Sequence, residues 1–278
     1  MTAASDIAAL AATDVREPIP MDKLIPVLSS PPFIPSRSLI NIRDAGLVPG
    51  SALPANRIYR CGALDLATKD PEAVAWLAAN VKRVFDLRRT IEREAAPDPE
   101  VPGVENVWLK GHDGEELPRP SLQQYADEGG ASVWREQYMS IAMVYRPTIK
   151  ALLEHVRDRP EEPFLFHCTA GRDRTGVVAG LLHHLAGTPP EAATGDYMLS
   201  RLGTEPARDK LIHFAFAMAG TDDINAPGFH DLVSLKPEYW EAFVERLTEK
   251  YGGWDGYVTE ALGFSAEDLA KMKKNLRP

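Results

Sequence analysis

The chain has 278 residues, 26% charged and 44% hydrophobic, with a formal net charge of −9. That length buries a sizeable core as one large domain or two small ones, and the acidic balance excludes a general nucleic-acid or anionic-membrane surface while allowing a local basic pocket. No apolar run approaches the roughly 20 residues that span a bilayer. The N-terminus lacks the basic and apolar segments of a signal peptide, and two cysteines make no disulfide framework, so a cytoplasmic setting is expected, with leaderless export left open.

In chain order, residues 1–22 are rich in Ala and Thr and are expected to be a loosely ordered extension ahead of a single domain over 23–278. The prolines between Pro26 and Pro35 predict an extended, helix-free stretch. Strands are expected at Arg57–Arg60, Arg83–Leu87, Val104–Leu109 and Pro163–His167, all rich in β-branched or aromatic residues. Asp70-Pro71-Glu72 reads as an N-cap with proline at the first helical position, ahead of an apolar face of Ala73, Trp76 and Leu77. Ser132 to Tyr145 follows a helical pattern, and Pro147 restarts a helix through Val156. Thr188-Pro189-Pro190-Glu191 and Ser265-Ala266-Glu267-Asp268 both read as capped helix starts. Strands alternating with helices predict an α/β domain with a mostly parallel sheet flanked by helices, and a helical C-terminal part.

The most informative stretch is His167-Cys168-Thr169-Ala170-Gly171-Arg172-Asp173-Arg174-Thr175-Gly176, between an apolar strand and a helical pattern. A loop leaving a strand and feeding a helix aims several N–H groups at one spot, where the helix dipole also favours negative charge. A phosphate fits there, and so does a thiolate nucleophile at Cys168. Arg174 adds a planar fork for two phosphate oxygens, and Gly171 and Gly176 permit close backbone approach. Thr175 is placed to donate to the Cys168 sulfur, and His167 to orient the loop. Adjacent His167 and Cys168 do not have zinc-pair spacing, and no nucleotide P-loop motif is present. Neither a metal nor a cofactor is therefore expected.

This stretch resembles the Cys-x5-Arg signature of cysteine-dependent phosphatases. It is similar in particular to the atypical tyrosine and dual-specificity branch of the protein tyrosine phosphatase B type, some of whose members also act on phosphoinositides. That branch commonly carries Lys where this chain has Arg172, which keeps the charge and changes its geometry. Asn41-Ile42-Arg43-Asp44-Ala45-Gly46, Arg57 to Leu64 with Cys61 in place of the usual Ser, and Phe85-Asp86-Leu87-Arg88 followed by Glu92 resemble further family segments in order. So do Pro237-Glu238-Tyr239 and the stretch from Tyr251-Gly252 to Leu262-Gly263 near the C-terminus.

The resemblance implies a phosphomonoester hydrolase whose loop, Thr169 to Arg174, holds phosphate, and whose partner is a phosphotyrosine protein or a phosphoinositide. It also suggests that part of residues 111–146 is a helical lid over the site, although the apolar face of 132–145 reads equally as core. No Trp-Pro-Asp segment supplies a general acid. Asp173 is the first candidate, with Asp86 and Asp113 as alternatives that read equally as an arginine partner and a solvated loop residue. Arg172, Arg174 and Arg88 or Arg89 are candidates for a basic pocket. A sulfurtransferase-like loop-cysteine enzyme and a non-catalytic phosphate-binding module stay open. Oligomeric state is not legible.

Overall fold

The computed structural model describes residues 4–109 and 117–278. The strands are β1 (Arg43–Asp44), β2 (Ile58–Cys61), β3 (Arg83–Asp86), β4 (Glu105–Val107) and β5 (Phe164–His167). The helices in chain order are α1 (Ala4–Ala11), α2 (Met21–Leu28), α3 (Pro71–Asn80), α4 (Thr90–Ala95), α5 (Leu122–Glu128), α6 (Gly130–Val144) and α7 (Arg146–Asp158). They continue with α8 (Asp173–Ala186), α9 (Pro190–Gly203), α10 (Arg208–Ala219), α11 (Phe229–Val233), α12 (Pro237–Tyr251), α13 (Trp254–Gly256) and α14 (Ala266–Asn275).

The sheet order is β1-β2-β5-β3-β4, with β2, β5, β3 and β4 parallel and β1 antiparallel at the edge. Central β5 is buried throughout, as a parallel strand covered on both faces must be. Its alternation divides the core. Phe164 and Phe166 join Leu152, Val177, Leu181 and Phe243 on one side, and Leu165 joins Val84, Ala73 and Leu77 on the other. Cys61 and Asp86 both pair in register with His167. Three parallel strands therefore end level with one another, and the chain leaves the middle one at Cys168.

All four expected strands form, within a residue or two at each end. Asp70 caps α3 by accepting from the Glu72 and Ala73 amides, with Pro71 at the first helical position, and Ser265 and Asp268 form the anticipated capping box of α14. Three expectations are corrected. The stretch from Pro26 is not helix-free, because Pro26 lies inside α2; it sits on the exposed face, where the Asp22 carbonyl that loses its donor can turn to water. Thr188 caps nothing, because its hydroxyl accepts from the Ala52 amide at 3.0 Å and lies 3.2 Å from His183 Nδ1. Residues 4–11, expected to be loosely ordered, form α1, which packs on α9 and buries Ala11 beside Leu199 and Leu202.

Helix α6 contributes one face to the core. Its Val133, Tyr138, Met139 and Ala142 are buried, and it packs along α12, where Tyr138 meets Trp240 and Phe243 with ring centroids 6.3 and 5.7 Å apart. The polar part of the expected lid, including Asp113, lies outside the described residues.

Candidate active site

The turn from β5 into α8 is shaped by its glycine and by what lies behind it. Gly171 has φ +66°, and a Cβ there would stand 2.4 Å from the Cys61 carbonyl oxygen. Only glycine fits, on both backbone and packing grounds. The loop carbonyls are each bound from outside the cavity. Thr169 O accepts from the Ala63 amide at 3.0 Å. Ala170 O and Gly171 O accept from Asn41 Nδ2 at 3.1 and 2.9 Å, and Gly171 O also from Arg60 Nη2 at 3.0 Å. In a trans peptide the N–H points opposite to the C=O. Fixing these carbonyls behind the loop therefore turns the amides of Ala170, Gly171 and Arg172 inward.

A buried ion network holds those anchors. Arg43 donates to Asn41 Oδ1 at 2.5 Å and to Asp196 Oδ1 at 2.7 Å, while Arg60 donates to Asp196 Oδ2 at 2.5 Å. All three charged side chains are at most 1% exposed. Burial pushes the Asp196 carboxyl up, and the two guanidinium groups outweigh it, holding the group well below the carboxylate range.

Cys168 is 2% exposed and contributes to a cavity of about 280 Å³ that also meets Thr169, Ala170, Arg172, Asp173 and Arg174. Apolar side chains from distant segments, among them Trp134, Ile141, Leu211 and Phe214, complete its walls. Arg89, Arg119, Arg172, Arg174, Arg201 and Arg208 all line it, so an acidic protein carries a basic cavity. Arg88 does not. It is 1% exposed and donates to Asp86 through Nε and Nη2, each at 2.9 Å.

Arg174 is held by Glu92, whose two carboxylate oxygens each lie 2.7 Å from a terminal nitrogen of the fork. The Thr169 hydroxyl donates to the same carboxylate. Burial works against the Glu92 charge, and Arg174 overrides it, keeping the carboxyl well below its ordinary value. Asp173, the first residue of α8, accepts from Arg172 Nε at 3.0 Å on both oxygens and from the Tyr138 hydroxyl at 3.1 Å. Arg172 in turn lies over the Trp134 ring, 5.5 Å from its centroid.

The alternative acid Asp86 is 0% exposed and saturated by Arg88, so it is an arginine partner and not a cavity group. His167 is fully buried, with Nε2 3.1 Å from Asp98 Oδ2 and 3.7 Å from Asp86 Oδ1. Burial lowers its pKa, and the Asp98 and Asp86 charges outweigh that and raise it. The Thr175 hydroxyl is buried and has no hydrogen-bond partner among the described residues, so the expected bond to Cys168 is not formed. Asp86, Asp98 and His167 also bring three ligand atoms within 4.8 Å of one another. Arg88 Nη2, 2.9 Å from Asp86 and 2.8 Å from Asp98, already supplies positive charge there.

Glu92, Asp98, Asn41, Tyr138 and Asp196 are the functional-site residues that sequence reasoning did not single out. Glu92 and Asn41 carried a signal, through their places after the Asp-Leu-Arg segment and at the head of the Asn-Ile-Arg-Asp segment. Among the described residues no helix is long and apolar enough to cross a membrane.

Known proteins resemble this chain in sequence. A "Tyrosine-protein phosphatase" of Nostoc commune is 28% identical over 233 residues, covering 81% of this chain and 76% of that protein. The "Triple specificity protein phosphatase PtpB" of Mycobacterium tuberculosis is 27% identical over 118 residues, 40% of this chain and 42% of that protein. The sequence model described as "Tyrosine phosphatase family" matches residues 34–278 and so takes in the signature loop, its anchors and the helical C-terminal part. The chain belongs to the tyrosine phosphatase family and is a protein-tyrosine phosphatase.

Proposed function

We propose that the enzyme hydrolyses phosphotyrosine through a cysteinyl-phosphate intermediate. The observation that carries this reading is the inward turn of the loop amides around Cys168, with Arg174 held beside them. Amides and guanidinium stabilise the charge on the equatorial oxygens of the transferring phosphoryl group. The Cys168 thiolate forms a bond to phosphorus as the ester P–O bond breaks, and the leaving oxygen takes a proton from Asp173. Water then attacks phosphorus and gives a proton back to the Asp173 carboxylate, the S–P bond breaks, and inorganic phosphate leaves with the thiolate restored. The apolar walls at Trp134 and Ile141 suit an aromatic leaving group.

The test is Cys168→Ser, which removes the nucleophile and leaves the amides and Arg174. Turnover should be abolished while phosphate analogues still bind, and rapid quenching of the unaltered enzyme should trap phosphate on Cys168. A serine variant that turns over substrate would refute the covalent route. A thiosulfate assay separates a sulfurtransferase, which would show cyanide-dependent thiocyanate release.

A second reading extends the substrates to phosphoserine or phosphothreonine and to phosphoinositides. Arg119 and Arg89 line the same cavity as Arg174, which suits a headgroup with more than one phosphate. The name of the mycobacterial relative, a triple specificity phosphatase, supports it. A panel of phosphotyrosine peptide, phosphothreonine peptide and phosphoinositide decides the order. Free Cys61 and Cys168 fit the reading of a cytoplasmic enzyme.

A further inference from the structure

The segment between α1 and α2 is gripped through its backbone. Arg201 of α9 donates to the carbonyls of Thr13, Asp14 and Glu17 at 3.1, 3.3 and 2.9 Å. Arg208 of α10 donates to those of Val15 and Arg16 at 2.8 and 2.6 Å. The Ile19 amide donates to Glu205 at 2.6 Å, and Glu205 is itself paired with Arg201. His230 of α11 stands 3.3 Å from the Asp14 carboxylate. Every carbonyl from 13 to 17 is thus bound by one of two guanidinium groups.

This clasp brings a side chain to the active site. Val15 packs against the cluster of Ile212, Phe229 and Val233, and it lines the cavity that contains Cys168. Arg201 and Arg208 line that cavity too.

We propose that residues 13–19 form a specificity-determining strap, in which Val15, fixed by Arg201 and Arg208, closes the apolar wall of the cavity and limits the size of the group that carries the phosphate. The inference rests on the phosphatase reading of the same cavity. A wall contact of one or a few methylenes discriminates between ligands by about 10–200-fold, which is the range open to a residue of this kind.

The experiment compares kcat/KM for a bulky ester, naphthyl phosphate, with that for the smaller p-nitrophenyl phosphate in the full-length enzyme. Val15→Trp should lower the bulky-to-small ratio by about tenfold or more, and Val15→Ala should raise it. Val15→Ala removes little packing and keeps the test open should the tryptophan variant fail to fold. Ratios within about twofold of wild type in Val15→Ala and in any folded Val15→Trp would overturn the strap. Failure of the underlying reading looks different: the unaltered enzyme would then hydrolyse neither ester, or would do so undiminished by Cys168→Ser.

Discussion

Glu92 and Arg174 meet fork to fork across the edge of the cavity, both oxygen–nitrogen pairs at 2.7 Å. The pairing fixes the plane in which the guanidinium is presented to phosphate. Glu92→Gln keeps one acceptor and loses the charge, so Arg174 is no longer oriented. A misplacement of this kind costs about 10²-fold, and kcat/KM should fall accordingly, with weaker inhibition by inorganic phosphate. A faster variant would show instead that Glu92 competes with substrate for the arginine. The depressed Glu92 pKa stabilises the fold fully above the ordinary value of 4.5 and loses that contribution as pH falls below it.

Asp173 is proposed as the proton donor, and its value must scale with the leaving group's need for a proton. With p-nitrophenyl phosphate, Asp173→Asn should lose little in kcat. With phosphotyrosine the same change should cost on the order of 10² to 10⁴-fold. Equal losses on both esters would make Asp173 a loop-shaping residue that orders Arg172 and Tyr138.

Asp98 and His167 form a buried pair beneath the nucleophile, 3.1 Å apart. Asp98 is held low, at about 2, by the His167 charge and hydrogen bond and by Arg88, against the effect of burial. Its contribution is complete above the ordinary 3.8 and declines as pH falls toward 2. For His167 the sign is opposite: its contribution is complete below the ordinary 6.5 and is lost as pH rises through its raised value. Asp98→Asn should lower the imidazole pKa, followed by NMR titration, and destabilise the protein by about 3–5 kcal/mol in urea unfolding. An unchanged His167 titration would show that Asp86 alone sets the charge of the ring.

What could be read from the chain alone was what is local in it. Cys168, Gly171 and Arg174 lie within one loop of backbone, so their spacing carries the chemistry directly, and central β5 announces itself by its apolar run Phe164-Leu165-Phe166. The supports do not. Asn41 reaches Gly171 across 130 positions, Asp98 reaches His167 across 69, and Tyr138 reaches Asp173 across 35. No periodicity records such pairings, because each depends on how separate elements stack. The same reason explains Thr188: its side chain matched a capping pattern, but tertiary partners claimed it.

Besides the Asp14 carboxylate beside His230, residues 13–17 are held by Arg201 and Arg208 through their carbonyl oxygens. Every amino acid has that group, proline included. The grip of Arg201 and Arg208 is therefore indifferent to the side chains at the positions it holds, while both arginines must stay. Position 15 becomes an exchangeable fitting on a fixed mount, and the cavity wall can be re-cut by substitution there without redesigning either the nucleophilic loop or the fold that presents it.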